Sequence, residues 1–590
     1  MSQASRQRRK VAVGLALLVT LPGIQLVTAT ASAAYADDVA FTRLQNELGA
    51  GTPTGAGVLV SQVEAAVTVN GQQTWVPTGS QFAGKIFTYG SPFTADVYSG
   101  HATGVATVFY GSPGSVADDI TNITVYWAMG WLGSDYLNAL GALPQPLAST
   151  SRVVNHSWVG DGTTSNREIL SRLDWVAEND EIIQVTAMNN GANPSSRGLM
   201  AQGFNAIAVG RSDGLHEYGS YAIDSLYTSG RAKPDIVAPA GSTSNATPGI
   251  SAIAALLVQQ GQGNATLSTD PDEASVTVRG DLLIRNAERV EVIRAALMAG
   301  ADRVTRNTAT TNLGLYRDTA GNRTTNGLDR RYGAGQVNAY NSHFILAAGE
   351  QQSPEDGGPA TSVAARGFDY DPAFGGGAGR NTAATYSLPV ATSPQLLTAA
   401  LVWNLDVDGG SAGAFNSSAI LRNLTLNVLN VASPSAPVVV AASASTVDNT
   451  EHAWLVVPAN AQYALQVSRA VATNFNHDFG IAWQLLPDAD GDGAHDGQDN
   501  CIAAINGPIV RDSGGASQRD SNNDGYGNLC DADLNNDGNV NASDLAIFRL
   551  AFGSANADAD LDGSGTVNAA DLAIFRNLFG KVPGPSAYAT

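Results

Sequence analysis

The sequence predicts an α/β domain with a mostly parallel sheet, followed by a β-sandwich and a group of small loop modules. Three observations carry this. From about residue 55 to residue 348, short apolar runs alternate with longer segments of helical period, the pattern of strands joined by crossover helices. After a Gly- and Pro-rich passage at 349–380 the helical periods stop and turn-bounded strand-like runs take over, as in a sandwich. From Asp488 onward, Asp, Asn and Gly recur in repeated frames. A chain of 590 residues is too long for a single core, so several domains are expected.

Residues 1–36 read as a signal peptide. Arg6, Arg8, Arg9 and Lys10 precede an apolar run at 11–27, and the small residues after it offer cleavage after Ala36 or Ala33. No other stretch is apolar and long enough to span a bilayer. The expectation is a secreted protein without a membrane span after cleavage. The net charge of -21 argues against a nucleic-acid partner. More than half of that excess lies in 488–571, which holds 16 Asp and no Glu against Arg511, Arg519 and Arg549. The two cysteines, Cys501 and Cys530, also lie there, and in an oxidising compartment they are expected to form a disulfide.

Within 37–350, "GVLVSQV", "RVVNHSW", "EIIQVTA", "NAIAVG" and "IVAPA" read as buried strands. "TGVATVFYG", "REILSRLDWVAEND", "GISAIAALLVQQ" and "ERVEVIRAALMAGA" read as helices. Four polar residues stand at element ends, where a parallel sheet presents its functional groups. Glu64 ends a strand, His101 starts a helix, Asn189 follows a strand, and Ser244 sits in "GSTSNATPGISAIAALL" at the mouth of an apolar helix. A serine there can be a cap or a nucleophile beside the positive helix end. His156, His216 and His343 match no such arrangement and read as structural or surface residues. Asp96 is a second carboxylate in the same region, but it does not end an apolar strand.

These blocks resemble the subtilases, the subtilisin-like serine proteases. "GVLVSQVE" is similar to the strand that ends in the family's acid. Residues 101–107 resemble its His-Gly-Thr-His-Val-Ala-Gly block, 186–189 its oxyanion block, and 242–248 its Gly-Thr-Ser-Met-Ala-Thr-Pro block. The resemblance implies a serine endopeptidase acting on proteins or peptides. Ser244 would be nucleophile, His101 base and then acid, Glu64 its orienting carboxylate, and Asn189 the oxyanion donor. Departures are Glu for Asp at 64, Ala102 for Gly, Gly104 for His and Asn245 for Met. The extra methylene of Glu64 alters reach, not charge at neutral pH. Residues 37–51 leave no room for a folded pro-domain. The rival reading is an inactive scaffold of the same fold, serving adhesion or assembly.

Residues 351–487 read as the β-sandwich. Beyond it, a twelve-residue frame repeats four times, at 488–499, 520–531, 533–544 and 560–571. Oxygen-bearing side chains fall at positions 1, 3, 5, 9 and 12, with Gly at position 6. The candidates are Asp488, Asp490, Asp492, Asp496 and Asp499; Asp520, Asn522, Asp524, Asn528 and Asp531; Asp533, Asn535, Asp537, Asn541 and Asp544; and Asp560, Asp562, Ser564, Asn568 and Asp571. Six to eight oxygens around a tight turn suit Ca²⁺ rather than Mg²⁺. The cysteine-bearing frames of 488–531 resemble thrombospondin type 3 repeats. The duplicated "NVNASDLAIFRLAFG" and "TVNAADLAIFRNLFG" make 532–582 similar to a type I dockerin. That resemblance implies a cohesin-domain partner, met by Ala542, Ser543, Ala569, Ala570 and the helices after them. Residues 583–590 read as a tail.

Overall fold

The computed structural model describes residues 29–93, 96–141, 143–160, 166–192, 197–305, 321–352, 360–375, 382–469 and 476–588. The apolar run at 11–27 lies outside them. Among the described residues no helix is long and apolar enough to cross a membrane.

Seven parallel strands form the central sheet: β1 (Val60–Glu64), β2 (Ile86–Tyr89), β3 (Asn122–Trp127), β4 (Val153–His156), β5 (Ile183–Ala187), β6 (Ala206–Arg211) and β7 (Ile236–Ala238). Their order is β2-β3-β1-β4-β5-β6-β7, and each neighbouring pair is parallel. Strands β1, β4 and β5 are buried at every residue, as expected of a parallel sheet covered on both faces, so polar side chains such as Gln62, Glu64 and His156 are buried with the apolar ones. The fold is a subtilisin-like α/β fold. Helix Thr243–Gly263 lies in the core, and its residues from Ala246 to Val258 are buried throughout. Helix Gly100–Tyr110 packs against it, burying Ala106, Phe109 and Tyr110 in the same core.

The sandwich is two sheets. One holds Thr361–Ser362, Ala383–Ser387, Tyr463–Arg469, Leu424–Asn430 and Val438–Ser443 in that spatial order; the other holds Arg366–Gly375, Asn476–Pro487, Gln395–Val402 and Thr450–Val457. Strand Arg366–Gly375 falls inside the Gly/Pro passage that the sequence assigned to a boundary. The sandwich has its own interior around Trp403, Leu426, Leu465 and Trp483. Its second sheet also contributes Phe368, Tyr370, Ala400, Val402 and Ala482 to the core of the α/β domain. The close approach has a sequence cause at Gly480: a Cβ there would lie 2.8 Å from the backbone of Glu291 in helix Val290–Ala299. Thr398 Oγ1 donates to the Ala299 carbonyl at 2.6 Å and Gln484 Nε2 donates to it at 3.2 Å. Strand side chains thus satisfy a carbonyl at the helix C-terminus, which has no partner within the helix.

The C-terminal region folds around its loops. Helices Ala542–Ala551 and Ala569–Leu578 bury Phe548 against Phe575, with Val540, Leu561 and Val567 beneath them. Cys501 and Cys530 form a disulfide. After the second helix the chain returns to the first two frames. Gly584 N donates to Cys530 O, Ser586 Oγ to Gly525 O, Ala587 N to Asp499 O and Tyr588 Oη to Gln498 O.

Candidate active site and acidic loops

The C-terminal ends of β1, β4, β5 and β7 lie along one edge of the sheet, and the expected site residues collect there. Glu64 is the last residue of β1 and is fully buried. Its Oε2 meets His101 Nδ1 at 2.7 Å. His101 is the second residue of its helix. Ser99 fixes that helix start by accepting from Ala102 N at 3.1 Å, a regular N-cap. Burial disfavours the His101 imidazolium, yet the charge of Glu64 and its hydrogen bond outweigh burial, so the imidazole pKa is raised. The carboxylate that meets His101 is therefore Glu64. Asp96 is exposed.

Ser244 is the second residue of its helix. Ser242, in extended conformation, is the N-cap but makes no side-chain cap bond. The sequence around Ser244 creates a local problem. Pro248 lies inside the helix and has no N–H to give the carbonyl four residues back, which belongs to Ser244. Ser157, immediately after β4, supplies the donor: its Oγ bonds Ser244 O at 3.0 Å. The Ser244 hydroxyl in turn donates to Ser157 O at 3.3 Å. The helix start is also tied to the oxyanion candidate. Asn190 Oδ1 accepts from Thr243 N at 2.9 Å. Asn189 Oδ1 accepts from Asn190 N at 2.8 Å, and Asn189 N donates to Glu217 Oε1 at 3.0 Å.

Ser157, Asn190, Gln62 and Tyr110 were not singled out from the sequence. Gln62 shares a face with Glu64 by strand alternation, and "NN" at 189–190 doubles the amide. Those were the available signals. The remaining histidines are structural. His156 is buried with Nε2 2.9 Å from Gln184 Oε1, and burial pulls its pKa down to about 4. His216 accepts from Arg211 N and meets Arg331 O. His343 is buried against Phe344.

The four acidic frames share one backbone design. In each, the position-1 Asp accepts from the position-6 Gly amide: Asp488 from Gly493, Asp520 from Gly525, Asp533 from Gly538 and Asp560 from Gly565, at 2.5–3.1 Å. All four of those glycines have positive φ, 87–98°, which a side chain would oppose. Two frames bring three carboxylates together: Asp488, Asp490 and Asp492, and Asp560, Asp562 and Asp571, with candidate ligand oxygens within 4.8 Å of one another. Burial first, then neighbouring carboxylates, raises Asp490 to about 7 and Asp492 to about 8. An all-oxygen, strongly anionic donor set around a tight turn fits Ca²⁺.

The frames then diverge. Asn541 with Asp544, and Asn568 with Asp571, form capping boxes that start the two C-terminal helices. In the first pair, Asp499 accepts from Cys501 N and Gln518 Nε2, Asp496 from Ala489 N and Asp531 from Asp533 N. Asn528 reaches across to Ser521 and to the Ala557 carbonyl. Asn522 donates to Asp524 and Asn535 to Asp537, while Ser564 Oγ lies 3.4 Å from Asp560 Oδ1.

Residues 77–335 match the Subtilase family and residues 531–580 the Dockerin type I domain. The first match contains His101, Asn189 and Ser244 but begins after Glu64. No curated protein matches the chain. Among solved structures, a type II cohesin-dockerin domain structure from Bacteroides cellolosolvens is 41% identical over 9% of this chain and 85% of that one, with a TM-score of 0.09. Proteases from Pseudoalteromonas arctica are 15% identical over 52% of this chain and 97% of that one, TM-score 0.29. A psychrophilic subtilisin-like protease from an Antarctic Pseudoalteromonas is 12% identical over 51% of this chain and 97% of that one, TM-score 0.29. Residues 77–335 are thus similar to the subtilases and residues 531–580 to type I dockerins.

Proposed function

We propose that the protein is a secreted serine endopeptidase of the subtilisin type with a calcium-dependent docking tail. The observation that carries this reading is the 2.7 Å bond between His101 Nδ1 and the buried Glu64 carboxylate, on the sheet edge that also holds Ser244 and Asn189. Ser244 Oγ attacks the peptide carbonyl while His101 Nε2 takes its proton, then returns it to the leaving amine. Glu64 holds the Nδ1–H tautomer and stabilises the imidazolium. Asn189 donates its side-chain amide to the tetrahedral oxyanion. For this to begin, the Ser244 hydroxyl must give up its bond to the Ser157 carbonyl and donate to His101 instead.

The proposed order is a leader at 1–36, the peptidase domain at 37–350, the sandwich at 351–487, thrombospondin type 3-like repeats at 488–531, the dockerin-like module at 532–582 and a tail at 583–590. Bound Ca²⁺ would neutralise the clustered carboxylates, held by Asp488, Asp490 and Asp492 and by Asp560, Asp562 and Asp571 with the rest of their frames. The dockerin-like module presents Ala542, Ser543, Ala569 and Ala570 to a cohesin-domain partner, at the surface or outside the cell. The test is hydrolysis of casein by purified protein, with labelling of Ser244 by a fluorophosphonate. Cleavage that is lost in Ser244→Ala, by about 10⁶-fold, supports the enzyme. Absence of both cleavage and labelling, with calcium present, supports the inactive scaffold.

A further inference from the structure

Glu64 uses only one of its oxygens on His101. The other, Oε1, accepts from Gln62 Nε2 at 2.9 Å. Gln62 is fully buried, two residues earlier on β1 and on the same face. Its second Nε2 proton goes to the Ala102 carbonyl at 3.0 Å, one residue past His101. Its Oε1 accepts from Tyr110 Oη at 2.5 Å, at the far end of the His101 helix. The amide can sit only this way round. A flip would set its oxygen against both the Glu64 carboxylate and the Ala102 carbonyl. Gln62 therefore spans the gap between β1 and the His101 helix, with every polar atom of its amide engaged.

We propose that Gln62, itself anchored by Tyr110, is a positioning residue that fixes the reach and orientation of Glu64 toward His101. This rests on the peptidase reading above. A glutamate side chain has three torsions, and a carboxylate held at one oxygen can still swing about that contact. Held at both, it cannot. The neutral amide also orients Glu64 without competing for its charge, as a lysine or arginine would. Tyr110 is suited to the outer position because burial, and then the nearby Glu64 charge, raises its pKa well above the ordinary value. It stays a proton donor across the working range. The titratable groups in this chain of contacts are His101, Glu64 and Tyr110.

The experiment compares the full-length protein with Gln62→Met, which keeps length and loses the amide, and Tyr110→Phe, which removes one hydroxyl. Steady-state kinetics on a fluorogenic peptide are measured beside the His101 titration, followed by NMR of ring-labelled histidine. Gln62→Met is expected to lower kcat about 10²-fold, the cost of an ångström-scale misplacement, with KM unchanged. Its His101 pKa should fall back toward about 6.5 as Glu64 swings away. Tyr110→Phe should do the same to a smaller degree, about tenfold in kcat, the worth of one neutral hydrogen bond. If Gln62→Met does not fold, Tyr110→Phe alone decides. Wild-type kcat together with an unmoved His101 titration in a folded variant overturns the proposal. If the wild-type protein cleaves nothing, the peptidase reading fails. The titration then still decides whether Gln62 sets the Glu64–His101 contact.

Discussion

Two sets of buried carboxylates, one at the sheet edge and one in the acidic frames, solve the same problem in opposite ways. At the sheet edge, Glu64 has no exposed surface, yet each of its oxygens meets a protein donor, Gln62 on one side and His101 on the other. In the frames at 488–499 and 560–571, carboxylates are packed against other carboxylates, and the amides of their own loops satisfy only part of their lone pairs. A carboxylate paired by neutral amides and an imidazole is preorganised by the chain alone. A cluster of like charges is not, because repulsion at a few ångströms grows as water is removed. The first arrangement suits a group that must be in place before substrate arrives. The second, on the calcium reading proposed above, would make local folding wait for a cation.

The contrast is most sharply broken at Glu64. Glu64→Gln keeps shape and removes the charge that raises the His101 pKa. Turnover should fall about 10⁴-fold. The sign of the pH effect follows from the mechanism. The base works only when neutral, so a raised pKa places the acid limb of kcat/KM above the ordinary histidine value of about 6.5. In Glu64→Gln that limb should move down. A limb that stays put would mean that Glu64 does not act on His101 in solution. Next in size is Asn189→Ala, which should cost about 10²–10³ in kcat with little change in KM. An equal rise in KM would reassign Asn189 to substrate binding.

The loop side should respond to metal and leave the sheet edge alone. Adding calcium to chelated, full-length protein should raise far-UV helical signal as Ala542–Ala551 and Ala569–Leu578 form. These helices are too short to persist without support. Asp562→Ala should weaken calcium binding by more than roughly tenfold, read by calorimetry, while casein hydrolysis stays at wild-type rate. A helical signal indifferent to calcium over the nanomolar to millimolar range would place these carboxylates with Glu64, as protein-satisfied groups. The smallest effect is expected at Ser157→Ala, which removes the donor for the carbonyl that Pro248 leaves unpaired. It should destabilise the protein by about 1 kcal/mol, measured by thermal unfolding. No shift would show that water takes over the bond.

How much of this was legible in the sequence depended on whether a residue's role is local. Glu64, His101, Asn189 and Ser244 stand at element ends, and element ends follow from periodicity and turn residues. The glycine of each acidic frame announces its own backbone, and the positive φ values bear that out. Gln62 and Tyr110 were invisible because their roles exist only across a strand–helix contact. A buried glutamine in an apolar run looks like an imperfect strand until its partners are known. Ser157 was hidden for the same reason, since the need it meets is created by Pro248, far away in sequence. The joint core was not readable either. Strand alternation shows that Phe368 and Tyr370 have a buried side, but not that this side faces the α/β domain. Strand Arg366–Gly375 was lost because glycines around it masked its alternation.

The returning C-terminal segment and the disulfide give the connector a mechanical character. If the dockerin module is held by a partner while the peptidase is pulled on its substrate, tension runs along the chain from the sandwich to the helices. Cys501 and Cys530 are 29 residues apart in sequence, so the covalent path bypasses that whole stretch. At roughly 3.3–3.6 Å per extended residue, about 100 Å of contour is withheld from stretching. The bonds from Gly584, Ser586, Ala587 and Tyr588 back onto the same frames fasten the far end of the module to that short-circuited loop. A peptidase held as proposed above would keep a short tether under load, its working radius set by folded loops rather than by slack chain.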